Sequence, residues 1–277
     1  MRIALWQHGL AFTLVLADMV LRAFRTQALL PMPLRRALAA NTCADAASAV
    51  TPGRVGGDPV RFLAWRRAGH PPSSILMVCG SEIAADIVSL VLVGAALSFA
   101  FPVVERHFIG ALFRTVRDGW PWALGLVALA VTSVVVTRRF VPQHVVGVTA
   151  ALREAWHEAR TRPPAALIAA TLLTIAALVA RCAILPVLLI GVPGLSAGQV
   201  LVGSAALVYG QQLAPTPAGI GAVELGAVAG LGGVVPPAAL AMVVIIWRTY
   251  ALVLGSLAGA ALLYSYRRAS TGSRVAA

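Results

Sequence analysis

The chain has 277 residues, 59% hydrophobic and only 12% charged, which excludes a soluble fold with a large core and describes an all-α polytopic membrane protein. Its net charge is +12 and all 22 basic residues are arginine. They are spread between apolar runs, which argues against a nucleic-acid surface and fits orientation by cytoplasmic positive charge and contact with anionic headgroups.

Residues 4–21 form a first apolar span that ends at Arg22 and Arg25; Asp18, one turn before Arg22, is explained by a local pair. Residues 34–50 are helical in pattern but carry Arg35, Arg36, Asn41 and Asp45. Such a segment is too short and too polar to face lipid across roughly 30 Å of hydrocarbon, so a re-entrant half-helix turned to the protein interior is predicted. A run of helix breakers follows at 51–61, Thr-Pro-Gly-Arg-Val-Gly-Gly-Asp-Pro-Val-Arg, and then a Pro71-Pro72 corner. Residues 73–101 make a long span in which Glu82 and Asp86 lie one turn apart on a single face. The mixed-charge stretch 102–119 reads as an external loop, and 120–137 as a linking span with Trp120 and Trp122 at the interface. Within the basic stretch 138–162, Val145, Val148, Leu152 and Trp156 are spaced as one apolar helix face, suited to the membrane surface.

Residues 164–185 form a span containing Arg181, 186–196 an uncharged loop, and 197–213 a second short helix ending in Tyr209, Gln211 and Gln212. The second run of breakers is 215–224, Pro-Thr-Pro-Ala-Gly-Ile-Gly-Ala-Val-Glu. A short Gly-rich helix, a Pro236-Pro237 corner and a last span over 238–264 with Arg248 at its middle complete the pattern. The arginines place 22–36, 54–67, 138–162 and the C-terminal segment in the cytoplasm, and 187–237 outside. The first apolar segment has no small-residue cleavage site behind it and reads as a retained span.

Shifted on itself by 217 − 52 = 165 residues, the sequence matches without a gap. Thr51-Pro52 falls on Thr216-Pro217, Gly56 on Gly221, and Pro71-Pro72 on Pro236-Pro237. Each unit reads span, half-helix, break, half-helix, Pro-Pro, long span. One membrane domain is therefore predicted, with repeat one at about 4–101, a linking span at 120–137 and repeat two at about 163–265. An odd number of intervening spans inverts the second repeat, so two re-entrant helix hairpins bring their breaks together near mid-membrane, with about six full spans around them.

Ionisable groups inside apolar spans are the sharpest functional signal, because each costs about 2.5–3.5 kcal/mol at a bilayer centre unless partnered or wet. Here they are Asp45, Asp58, Glu82, Asp86, Arg181, Glu224 and Arg248. Arg181 and Arg248 are expected to pair with Glu224 and the Glu82/Asp86 face, either as structural ion pairs or as a polar path for a headgroup. Arg54 and Arg61 flank the Gly56-Gly57-Asp58 turn, and a guanidinium fork beside free backbone N–H groups suits a phosphate diester. Cys43, Cys79 and Cys182 read as buried thiols. Gly194-Leu-Ser-Ala-Gly198 matches a nucleophile pattern but follows a helix and has no histidine after it, so no catalytic residue is assigned. Neither metal-ligand spacing nor a cofactor fingerprint is present in the sequence.

Together the Gly-Gly-Asp-x-x-Arg break, the Glu82-x-x-x-Asp86 helix, the Pro-x-Pro-x-Gly-x-Gly-x-x-Glu stretch and Arg248 resemble the flippase-like membrane family typified by the transmembrane part of lysylphosphatidylglycerol synthase. The resemblance implies a lipid-translocating membrane domain whose motif residues fall on Pro52, Gly56, Asp58, Arg61, Glu82, Asp86, Pro215, Pro217, Gly219, Gly221, Glu224 and Arg248. The chain departs from it at Ile83, where the family often has Arg, and at Ala218, where it commonly has Gly. No aminoacyl-transfer region is expected in it, so lysyl-phosphatidylglycerol is not implied as substrate. The expectation is a non-enzymatic, multi-pass inner-membrane protein that moves an anionic lipid or lipid-linked headgroup between leaflets. Substrate contacts are expected at Arg54, Asp58, Arg61, Glu82, Asp86, Arg181, Gln211, Glu224 and Arg248, with a membrane phospholipid or polyprenyl-phosphate lipid as partner. The alternative is a non-catalytic accessory or scaffold subunit for a lipid-modifying or glycosyl-transferring membrane enzyme; a membrane enzyme partner or a homo-oligomer is the expected assembly.

Overall fold

The structure, a computed structural model, describes residues 3–118, 145–214, 216–232, 234–262 and 264. Among these every regular element is a helix: α1 (Leu5–Leu29), α2 (Leu34–Val50), α3 (Gly57–Arg67), α4 (Pro72–Ala100), α5 (Pro102–Asp118), α6 (Val145–Thr161), α7 (Pro164–Leu189), α8 (Ala197–Leu213), α9 (Ala222–Leu231) and α10 (Pro237–Arg248). The last continues through a π turn at Thr249–Val253 to Leu262. The expected linking span at 120–137 lies outside the described residues.

Local chemistry sets the helix ends. The helices α4, α7 and α10 each begin on the second proline of a Pro-Pro pair, where a missing N–H costs nothing and the fixed φ suits a first turn. Ser196 and Gln199 form a capping box at the start of α8. The helix α7 runs on past the expected end of its span, with Pro186 inside its last turn. Proline has no N–H to offer the carbonyl four residues back, at Cys182. The buried Ser204 of α8 donates its hydroxyl there instead. Gln7 of α1 tends the same helix end, donating to the carbonyls of Val187 and Ile190 at 2.8 and 3.2 Å. These bonds satisfy carbonyls at the end of α7, and they tie α1, α7 and α8 together.

Among the described residues three helices are long and apolar enough to cross a bilayer, namely α4, α7 and the continuous Pro237–Leu262. Of the about six full spans expected, the one at 120–137 lies outside the described residues. At 25 residues α1 has the length, but Asp18, Arg22 and Arg25 interrupt its apolar run. It also continues to Leu29, so Arg22 and Arg25 sit inside the helix and not beyond its end. Most of α4 is unburied, and Ile83, Ile87, Val91 and Leu92 face outward as a lipid-facing surface would. The expected loop at 102–119 is the helix α5, which packs on α8 and α9. On α6, Leu152 and Trp156 are exposed, while Glu158 accepts from Ser74 at 3.0 Å and holds the helix against α4.

Two helix–break–helix units organise the interior. The helices α2 and α3 are joined through a 3₁₀ turn at Pro52–Arg54, and α8 and α9 through one at Pro217–Gly219. The two turns meet, with Cα atoms within 8 Å of each other. Their backbones match at the offset read from sequence: Gly53 and Arg54 have φ of 59° and 59°, and Ala218 and Gly219 have 55° and 69°. The long helices behind them begin at Pro72 and Pro237, again 165 residues apart. The first helices of the two units, α1 and α7, pack along one another. One apolar core lies among α1, α7, α8, α9 and α10 around Trp247 and Leu185. A smaller one surrounds Trp65 and Ile75 between α3 and α4.

Candidate functional site

Beside the first of the two turns the helices leave a cavity of about 310 Å³, lined by Gly53 and Arg54 at the break. Its walls come from the inner half of α1, the α2–α3 hairpin, the middle of α4 and the middle of α7. Of the ten acids in the sequence, five described ones line it, together with five arginines. An isolated ion costs several kcal/mol to bury, so such a gathering holds only if the charges are paired. Every acid in the cavity has an arginine within 4.0 Å.

The pairs fall into two groups. In the first, Arg22 grips Asp45 with both nitrogens at 2.9 and 2.7 Å and reaches Asp18, one turn back on α1, at 3.2 Å. Arg181 of α7 holds the same Asp18 at 2.9 Å, and Arg54, at the tip of the break, approaches Asp45 at 3.8 Å. In the second, Glu82 is 2% exposed and lies between Arg25 at 3.2 Å and Arg61, with the Thr26 hydroxyl donating to it at 2.8 Å. Arg25 also reaches Asp86 at 2.6 Å and donates to the Thr174 hydroxyl at 3.3 Å, and Arg61 lies 3.6 Å from Asp58. The Trp65 ring stacks beneath Arg61 and fixes its plane. Asp86 and Asp58 are the open members of this second group, 42% and 57% exposed.

Six of the nine expected contact residues therefore converge: Arg54, Asp58, Arg61, Glu82, Asp86 and Arg181 line one cavity. The other three do not. Glu224 accepts from the Gly221 N–H and pairs with Arg248 at 2.8 Å, on the α9 side of the second break. That bears out the pairing of Arg248 but closes it locally. Gln211 is buried beside Gly219, outside the cavity walls, with neither amide atom bonded. Arg181 pairs with Asp18 and not with Glu224 or the Glu82/Asp86 face, so Asp18 bridges two arginines and is more than a local partner. Among the motif residues, Pro217 and Gly219 form the second turn, and Pro52 begins the first. Gly56 donates its N–H to Thr51 just past that turn, and Gly221 precedes α9. Pro215 falls outside the described residues.

Sequence reasoning missed Arg22 and Arg25 by reading them as orientation signals. Their spacing from Asp18, four and seven residues on, puts all three on one helix face, which was the available sign. The three cysteines are free, and only Cys43 is fully buried.

Residues 1–259 match the family model of the lysylphosphatidylglycerol synthase TM region, and the chain belongs to that family. No curated protein and no solved structure matches it.

Proposed function

We propose that this member of the lysylphosphatidylglycerol synthase TM region family carries a lipid with a phosphate headgroup between membrane leaflets, with the paired-charge cavity as the headgroup site. The observation that carries the reading is the make-up of the cavity: ten paired acidic and basic side chains gathered at the first chain break, beside a long helix whose apolar face looks outward. An amphiphile needs both surfaces at once, a polar pocket for the head and an apolar wall for the tails. On this reading the two hairpins are re-entrant and the two units are inverted relative to one another. The arginine-rich segments and the C-terminus face the cytoplasm of a cell whose inner membrane holds the protein. Arg54 has its donors least used and lies at the break, so it meets the phosphate first, with Arg181 and Arg22 behind it. No bond is made or broken. Transfer runs downhill, on an ion gradient or with a partner, which includes a membrane enzyme that supplies or consumes the lipid.

Reconstitution tests this. The purified chain in vesicles of mixed phospholipid and polyprenyl phosphate is expected to speed leaflet exchange of at least one of them over protein-free vesicles. If it speeds none, the transport reading falls.

A further inference from the structure

We infer that the headgroup this cavity takes is a phosphodiester that also carries one N–H-bearing ammonium group, neutral overall, of the phosphoethanolamine kind. The inference rests on the lipid-moving reading and deepens it by naming the substrate class.

The charges in the cavity are sorted and not merely balanced. Arg22, Arg54 and Arg181 with Asp18 and Asp45 give three guanidiniums against two carboxylates. Arg25 and Arg61 with Asp58, Glu82 and Asp86 give two against three. One group is thus formally +1 and the other −1, and among the described residues no ion pair joins them. The same helices feed both. On α1, Arg22 serves the positive group and Arg25 the negative, three residues apart and so about 4.5 Å along the axis. On the first hairpin, Arg54 before α3 belongs to the positive group, and Asp58 and Arg61 on the first turns of α3 to the negative. On α7 the positive group takes Arg181, and Thr174, two turns back, accepts from Arg25 of the negative one.

The cavity therefore holds two groups of opposite net charge, whose α1 arginines sit three residues, about one helical turn, apart. A headgroup with phosphate alone meets the positive group and leaves the negative one, net −1, without a countercharge; a like-charge juxtaposition with it is disfavoured. A phosphate joined to an ammonium by a two-carbon tether spans about the same distance and satisfies both groups. Free capacity lies at the right places. Arg54 stands 3.8 Å from its only acid, too far for a full hydrogen bond, so its donors are open to a phosphate. Asp86 spends one oxygen on Arg25 at 2.6 Å and Asp58 stands 3.6 Å from Arg61, so each exposed carboxylate keeps an oxygen open to a further donor. An ammonium with N–H groups supplies up to three, and a quaternary one supplies none.

The test is equilibrium binding to the purified full-length chain, followed by native mass spectrometry. The probes are phosphatidylethanolamine, phosphatidylglycerol, phosphatidylcholine and phosphatidate with identical acyl chains. Phosphatidylethanolamine is expected to bind about tenfold tighter than each of the others. Equal or tighter binding of phosphatidylglycerol, phosphatidate or phosphatidylcholine overturns the inference. In the Asp58→Asn/Asp86→Asn double variant the order is expected to invert, with phosphatidylglycerol held above phosphatidylethanolamine; an unchanged order overturns it as well. Wild-type binding alone decides the matter if the variant does not fold. Vesicle exchange is read separately, so a chain that moves no lipid refutes transport while the order of binding still judges the headgroup.

Discussion

Arg54 sets its side chain against its own backbone, and two substitutions separate the two. Its φ of 59° lies in the left-handed region, which costs a residue with a Cβ roughly 1–2 kcal/mol. At the matching place in the second unit stands Gly219, φ 69°, where that cost does not arise. The Arg54 side chain recovers little, since its contact with Asp45 is 3.8 Å long and a pair of that quality is worth about 0–1 kcal/mol. Arg54→Ala keeps the strained φ and removes the guanidinium. Arg54→Gly removes both, at a cost of about 0.4–1 kcal/mol from the looser unfolded chain. The glycine variant is therefore expected to be more stable than the alanine variant by about 1 kcal/mol, read as a higher midpoint when tryptophan fluorescence follows thermal unfolding in detergent. Both variants are expected to lose lipid exchange by roughly 10- to 100-fold, the worth of charge-assisted hydrogen bonds to a phosphate at about 1.5–3 kcal/mol. If glycine is no more stable than alanine, the strain is not there. If either variant exchanges lipid at the wild-type rate, Arg54 is not at the phosphate.

Three further outcomes follow from the geometry. Glu82→Gln strips the shared carboxylate from two buried arginines and is expected to cost roughly 3–5 kcal/mol, against about 1 kcal/mol or less for Glu224→Gln at a half-exposed pair; comparing the two denaturation midpoints checks it. Gly219→Ala puts a Cβ 2.5 Å from the Gln211 Cα at a left-handed φ and is expected to cost about 2–4 kcal/mol, whereas Gly53→Ala, nearest atom 3.8 Å away, pays only the roughly 1–2 kcal/mol of its φ; equal losses would mean the two turns are not packed as described. Ser204→Ala leaves the Cys182 carbonyl without a donor beside Pro186 and is expected to lower stability by about 1–3 kcal/mol, with Ser204→Thr restoring most of it; thermal unfolding of both variants reads this.

What was legible in the sequence was backbone. Breakers such as Pro52-Gly53 and Pro217 narrow the conformations open to the chain, and the gap-free offset between them already announced two matching turns. The Pro-Pro corners marked helix starts for the same reason. The extent of helices was harder. The Arg22–Leu29 segment is too charged for a hydrocarbon-facing run, and its helicity is supported by partners from α2, α4 and α7 that no local window contains. The Pro102–Asp118 segment is a helix although its charges are mixed, because α8 and α9 take up one side of it. Among site residues, Glu82, Asp86 and Arg61 stood out because an acid or a base in an apolar setting needs an explanation. Which base met which acid was not legible, since Arg181 and Asp18 are 163 residues apart and meet only because α1 and α7 pack together.

The two helix–break–helix units agree in shape at the turns while differing in chemistry. At the common offset, Asp45, Asp58, Arg61 and Asp86 of the first unit stand opposite Gly210, Val223, Gly226 and Ala251 of the second. Glu82 stands opposite Trp247, and the two are equally buried, at 2% and 0%. The position thus has one packing role and two chemical ones: a clamp between arginines in one unit, the centre of an apolar core in the other. The charges that the second unit keeps, Glu224 and Arg248, fall opposite Pro59 and Ile83 and satisfy one another. Each turn also carries one left-handed residue with a Cβ, but not at the same place, Arg54 in the first and Ala218 in the second. A strained backbone persists only where the surroundings hold it, and such strain gathers at functional positions. In the second turn the residue is a buried alanine, so packing against the first turn accounts for it. In the first it is an arginine facing a cavity, where a glycine would fit the backbone better, so the requirement there is for the guanidinium itself.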